Sequence, residues 1–423
     1  MYSPAPSTPL KYVLPFYLTG ALAFLILTVM MYQSADAFTG HYFNPHLLSM
    51  VHTAALGWGT MVIFGALYQL LPVLSERKLF IYPLSIFSWY TLTTGTVLLV
   101  FSFRNFTTGW LMITGGTLIT IAVITCWIQV CGTYGSFNKN IHALFITSSV
   151  TWLLITVLIG LLLAIHLYNP FFSQHHINIL KLHAHAGLAG WFVQLITGVS
   201  SKLVPMFVVG HSTKTHLLTR AFILQNLSLT GFMVDGYFNE PGVRSILYAV
   251  IMLAGIACWL MFLYDAASKR LRNKVDIPVM HTLVSVICLL AAVCTIPFIY
   301  FVQGTAPAVL YGTLLFMGFI SGIILGKTFK TLPFMIWNTH YKKQLNGTSG
   351  ILPKHLYKSS WVSVQFVLLI AAIALLGTGI ALSNLPIIQI AMVVWIGVAS
   401  IYLLNLLGMI MLPTKEKFIQ SPL

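Results

Sequence analysis

Residues 52–72 read HTAALGWGTMVIFGALYQLLP, a histidine followed six residues later by a tryptophan inside a run too apolar for a surface helix. The frame returns at residues 185–205, HAGLAGWFVQLITGVSSKLVP. Both segments span 21 residues from His to Pro, and seven positions agree: His52/His185, Gly57/Gly190, Trp58/Trp191, Ile63/Ile196, Gly65/Gly198, Leu70/Leu203 and Pro72/Pro205. A third segment from Thr313, TLLFMGFISGIILGKTFKTLP, keeps Gly318, Ile324, Gly326 and Pro333 in register, with Phe319 in place of the tryptophans. Gly, Ile and Leu matches come cheaply in apolar helices. His, Trp and Pro at one spacing do not, so the three stretches read as copies.

Around these copies the composition bounds the class. Of the 423 residues, 58% are hydrophobic and 7% charged, against roughly a quarter charged in soluble domains. Such a chain has almost nothing to present to water, and a bilayer crossing needs about 20 apolar residues. Twelve runs qualify: about 13–33, 46–72, 83–103, 109–131, 141–167, 178–206, 217–235, 243–264, 280–301, 308–328, 363–382 and 387–411. The expected fold is an all-α polytopic membrane protein of about twelve transmembrane helices in a single membrane domain. The three copies then fall on helices 2, 6 and 10, four spans apart. Internal repeats over about 13–131, 141–264 and 280–411 predict three pseudo-symmetric four-helix arcs. The first run is long for a signal-peptide core and lacks a small-residue cleavage site, so it is expected to stay as an anchor.

The formal charge of +15 suggests nucleic acid until its distribution is read. With twelve spans, 19 of the 22 Lys and Arg fall on one side and only Arg104, Lys181 and Arg244 on the other. Positive charge gathers on the cytoplasmic side, so both termini are expected there, in a bacterial-type inner membrane, with no nucleic-acid partner. The longest loop, about 329–362, carries Lys342, Lys343, Lys354 and Lys358 and is expected as a structured cytoplasmic surface able to meet anionic lipid. The five cysteines lie in apolar runs without CxxC or CxxCH spacing, which excludes c-type haem attachment and a thiolate zinc site by motif. No phosphate-binding glycine loop is present.

Helices 2, 6 and 10 run inward, so His52, His183 and His185 sit in the outer third of the bilayer. An ionisable group inside a membrane marks function by default, and neutral imidazole is the commonest metal ligand. Haem iron takes axial histidine in helix bundles, and small residues let helices approach a flat macrocycle closely. Gly57 and Gly190 follow the two histidines at equal spacing. His183 and His185 are two apart, about 200° around a helix, so a regular helix cannot aim both at one metal. The alternative for each is an inter-helix hydrogen bond. His41, His46, His166, His175 and His176 read as interfacial residues.

Twelve helices in three arcs, with outer-third histidines on helices 2 and 6, resemble the catalytic subunit of haem–copper oxidases and nitric oxide reductases. The chain also looks like NnrS-type haem–copper membrane proteins. The resemblance covers the whole chain by layout, and its motif support is confined to the three repeated segments. It implies that His52 is an axial ligand of a b-type haem and that His185 or His183 serves a copper or the same haem. It further implies an oxidoreductase handling oxygen or nitric oxide, or an electron carrier, with Lys181 near the propionates. Electrons would come from a donor protein or quinol, and respiratory-complex subunits are the expected partners. The pattern departs from the family where 308–328 has no histidine, with Thr313 at the repeat position, and where 217–235 lacks a histidine pair. All seven acids lie at span ends, in loops or in the tail. The resemblance therefore implies a relative without a complete binuclear centre. A membrane transporter and a metal-free accessory subunit remain the alternatives.

Overall fold

A computed structural model describes residues 7–135, 140–271, 276–341 and 352–419, with side chains through 411. Among these residues twelve helices are long and apolar enough to cross a bilayer. They are α1 Leu14–Gln33, α2 Pro45–Ser75, α3 Tyr82–Arg104, α4 Trp110–Tyr134, α5 Ile141–Tyr168, α6 His176–Val208, α7 Thr215–Asn239, α8 Ser245–Ser268, α9 Ile277–Phe301, α10 Ala306–His340, α11 Ser359–Ala381 and α12 Leu385–Met411. The protein is an all-helical polytopic membrane protein, because only a helix satisfies every backbone polar group within one lipid-embedded segment.

One boundary differs from expectation. The stretch 329–340, expected as loop, continues α10 to His340. Lys327, Lys330 and Pro333 give it the look of a break, yet Leu332, Met335 and Ile336 on it are buried. A mid-helix proline removes one backbone bond and kinks the helix, and packing on that face offsets the loss. Of the lysines expected in that loop, Lys342 and Lys343 lie outside the described residues.

The chain divides into two compact units. The first comprises 1–7, 70–275 and 293–304, and the second 8–69, 276–292 and 305–423. In the first, α5 packs on α4 and on α6, and α8 packs on α6 and α7. In the second, α1 packs on α2 and α12, and α10 packs on α11 and α12.

The three repeated segments share one conformation. A short α-helix ends on His52, His185 or Thr313, and a π-helical segment follows at once, over Thr53–Thr60, Ala186–Val193 and Leu314–Ile320. Regular α-helix then resumes and encloses Pro72, Pro205 and Pro333. Equal spacing in sequence is thus equal backbone conformation. Among the described residues these three stretches carry all the π-helix.

Glycines in these segments set how closely the preceding helix packs. A Cβ added at Gly65 would lie 2.8 Å from Phe16 Cβ, at Gly198 2.4 Å from Phe145 Cβ, and at Gly326 2.6 Å from His281 Cβ. One turn-pair earlier, a Cβ at Gly190 would meet Trp152 at 2.6 Å and one at Gly318 would meet Cys288 at 2.7 Å. Trp152 follows Phe145, and Cys288 follows His281, by the same seven residues. The α5–α6 and α9–α10 pairs therefore pack in one register, and lipid-embedded helices gain dispersion contacts from this closeness rather than from hydrophobic burial.

Candidate functional site: histidines ahead of the π-helical segments

His52 is the last residue before the π segment of α2. Its Nδ1 lies 2.8 Å from the Leu48 carbonyl one turn earlier. His185 holds the same place in α6, with Nδ1 2.8 Å from the Lys181 carbonyl. A carbonyl can only accept, so Nδ1 carries the proton in both rings. That bond fixes ring orientation and tautomer, and it puts the neutral ring's lone pair on Nε2, the arrangement found in metal-ligating histidines. Both residues are half-buried amid buried neighbours. Asn44 caps the start of α2, accepting from His46 N at 2.9 Å, and His175 caps α6, accepting from Ile177 N at 3.3 Å.

His183 is placed differently. Its Nδ1 is 2.9 Å from the Thr156 carbonyl on α5. A Cβ at Gly160 would meet its Cε1 at 2.8 Å, so this ring wedges against α5. The His185 ring instead meets Phe232 of α7, centroid to centroid 4.9 Å. The two-residue spacing thus turns the imidazoles toward different helices. Lys181 contributes its carbonyl to His185, while its side chain is half-buried. Gly57 and Gly190 are both buried in their π segments, and Gly190 brings α6 against Trp152 and Leu229.

The tryptophans of the first two copies are 1% exposed. Trp58 stacks on Phe24 at 4.3 Å and donates from Nε1 to Ser321 Oγ of α10 at 2.9 Å. Both tryptophans are packed into the helical interior. The interfacial histidines organise loops: His41 Nδ1 accepts from Phe43 N at 3.0 Å, and His166 Nδ1 accepts from Phe171 N at 2.9 Å and from Phe172 N at 3.1 Å. His166 also stacks on His176, 5.7 Å apart.

Two features escaped the sequence reading. The first is His281 on α9, wholly buried, with Nδ1 2.9 Å from the Ile277 carbonyl and Nε2 without a hydrogen-bond partner. It takes the packing position that Phe16 and Phe145 hold against the other repeat glycines. The second is a partly buried polar knot of α5, α6 and α7. Asn226 Oδ1 accepts from Ser148 Oγ at 3.0 Å, Trp152 Nε1 at 3.0 Å and Gln194 Nε2 at 3.1 Å. Among the described residues no three His, Cys, Asp or Glu side chains stand close enough together to hold a metal ion. No family model and no curated protein matches the chain.

Proposed function

We propose that this membrane protein is a haem-binding redox protein in which His52 and His185 would hold haem iron through Nε2. The single observation that carries the reading is the pair of identical histidine settings. Each imidazole is locked through Nδ1 to the carbonyl four residues back, at the last residue before a π-helical segment. The carbonyl bond alone is common, and His281 makes it too. Its combination with a π segment, a backbone form concentrated at functional sites, supports ligation at His52 and His185.

The donor set favours haem over a histidine-cluster copper. A porphyrin brings four nitrogens and asks the protein for one or two axial ligands, whereas a copper site of protein ligands needs several side chains converging. Among the described residues no three such side chains converge. When bound, the haem would supply one-electron chemistry. The chain's own residues orient the ligating rings through the Leu48 and Lys181 carbonyls and exclude water with Trp58, Trp191 and the apolar flanks. His183, tied to α5, positions the segment rather than ligates.

On this reading the bilayer is the protein's environment, and the resident membrane is a bacterial-type inner membrane with both termini cytoplasmic. Electrons arrive from a donor protein or quinol, in company with respiratory-complex subunits. The reaction at the iron involves oxygen, nitric oxide or electron transfer alone. The test is the optical spectrum of the purified protein. A Soret band in the wild type that is lost in His52→Ala and in His185→Ala is the expected result. A colourless protein after expression with haem precursor overturns the proposal and leaves the transporter or accessory-subunit alternatives.

A further inference from the structure

We infer that residues 169–175, between α5 and α6, form an acid-released strap over one end of the first unit, latched by the imidazole of His166. The inference is independent of the haem reading, since it needs the ring of His166 and no ligand at His185.

Three observations carry it. First, the strap hangs on one atom. His166 Nδ1 accepts from Phe171 N at 2.9 Å and from Phe172 N at 3.1 Å. Among the described residues no other hydrogen bond ties 170–174 to a helix; Ser173 Oγ donates to Gln174 Oε1 at 3.1 Å, inside the strap. A backbone N–H only donates, so Nδ1 carries the lone pair and Nε2 the proton. This tautomer is the reverse of that in His52 and His185, whose Nδ1 faces a carbonyl. With its lone pair directed at two amides, His166 has none left for a metal, which separates the strap from a metal site.

Second, a charged ring cannot hold the strap. Uptake of a proton forms an Nδ1–H bond from the lone pair and turns the acceptor into a donor aimed at two donors. The ring also stacks on His176, with 5.7 Å between centroids and 13° between planes. Positive charge on both rings repels at that range, which adds to the release. Third, the strap covers an apolar surface. Phe172 packs against the buried cluster of Leu163, Ile179, Leu182 and Phe232, and Phe232 is the residue that the His185 ring meets. Release of Phe172 uncovers this cluster.

Protons reach the latch from solvent, because Asn169 and Phe171 are exposed and His166 is half-buried. The titratable and charged groups at this end of the unit are Arg104 at the end of α3, Tyr168 on α5, His175 in the strap, His176 and Lys181 on α6, Asp235 on α7, and Glu240, Arg244 and Tyr248 from the turn into α8. Of these, His176 is in ring contact with His166, and Asp235 is paired with Arg244 at 3.5 Å. The closed strap needs the neutral ring. Its stabilisation is therefore present at neutral pH and lost as pH falls through the imidazole range, about pH 6.5 for an ordinary histidine.

The test is hydrogen exchange of the full-length protein in lipid nanodiscs at about pH 8 and about pH 5, with labelling times scaled to cancel the chemical pH dependence. Peptides covering Phe171 and Phe172 are expected to be protected at the higher pH and to exchange about tenfold faster or more at the lower, as two bonds are lost. His166→Asn can set its Oδ1 where Nδ1 stands and does not titrate, so the strap stays protected at both values. His166→Ala exchanges fast at both. His175→Asn, which keeps a side-chain acceptor for Ile177 N, retains the acid response. Peptides of α4, a helix without histidine, read the fold of every variant, and if His166→Ala does not fold, the wild type and the two asparagine variants decide. A wild-type strap equally protected at both values overturns the proposal. So does an acid response that survives His166→Asn or disappears in His175→Asn.

Discussion

The side-chain amide of Gln129 grips the backbone of Ile81 at both ends. Oε1 accepts from Ile81 N at 2.9 Å, and Nε2 donates to Ile81 O at 2.8 Å. Ile81 is the N-cap of α3, and Gln129 stands near the end of α4. Asn405 on α12 does the same to Lys358, the N-cap of α11, at 3.0 and 3.2 Å. The sequence separations are 48 and 47 residues. An amide suits this task because it both donates and accepts, and a helix entry needs both of its backbone groups satisfied. In the middle of the chain, Asp265 of α8 stands at the comparable place. Lacking a donor, it accepts from Ser212 Oγ at 2.7 Å and pairs with Lys214 and Lys269 at 3.0 Å each.

The amide clamp makes a prediction about charge. Asn405→Asp and Gln129→Glu keep the acceptor and lose the donor, leaving the Lys358 or Ile81 carbonyl without its partner. Each is expected to cost about 1–3 kcal/mol, seen as a lowered thermal midpoint in detergent. Asp265→Asn breaks two pairs whose lysines are 52% and 41% exposed. Asp265 itself is buried, but both lysine ends are solvated, so each pair contributes at most about 1 kcal/mol. Unchanged midpoints in Asn405→Asp and Gln129→Glu contradict the clamp's role.

Close packing at the repeat glycines predicts an asymmetric pair of substitutions. Gly198→Ala places a methyl 2.4 Å from Phe145 Cβ, a distance real Cβ atoms do not tolerate, so α5 and α6 must part. Overpacking of this kind costs about 1–3 kcal/mol. Phe145→Ala alone leaves a cavity, yet combined with Gly198→Ala it removes the atoms in conflict. The double-mutant cycle is expected to show a coupling of about 1 kcal/mol or more in the compensating sense. Additive losses would show that the two helices do not meet at these residues.

The haem proposal assigns different roles to His183 and His185. His185→Ala should abolish the Soret band, whereas His183→Ala should leave its wavelength unchanged and lower stability, because His183 Nδ1 is bound to the Thr156 carbonyl across to α5. Losing an inter-helix bond in a membrane costs about 1 kcal/mol. Optical spectra and thermal midpoints of the two variants, measured side by side, check this. A band shifted by His183→Ala and retained in His185→Ala reverses the assignment.

Much of this was legible in the sequence, and the reason is physical. Crossing a bilayer imposes length and apolarity on each span, so the helices announce themselves. A backbone conformation repeated with one spacing, such as His52 and His185 ahead of Trp58 and Trp191, shows because the chain must solve the same packing problem each time. The unread parts depend on partners distant in sequence. Gln129 gives no sign that it holds Ile81, and His281 looks like any polar residue near a span end until Gly326 is found pressed against it. The helical run through Pro333 was hidden for a related reason: local breakers lost to a buried face that only tertiary contact reveals. The equal seven-residue steps from Phe145 to Trp152 and from His281 to Cys288 are a signal that alignment of α5 with α9 would have exposed.

Loading with haem should register in stability as well as colour. A ligand bound by the folded state alone stabilises it by about 2.7 kcal/mol at a hundredfold excess over its Kd. Protein expressed with and without haem precursor should therefore differ in thermal midpoint by several degrees. The difference arises at His52 and His185, so it should disappear in His52→Ala and in His185→Ala while persisting in His183→Ala. Metal analysis of the loaded protein should return iron in step with the Soret absorbance, and copper well below one per chain, because the described residues bring no three ligating side chains together. Stoichiometric copper without iron, or a midpoint that ignores haem supply, would remove the axial-ligand role of both histidines and leave their carbonyl-locked rings as helix-packing features.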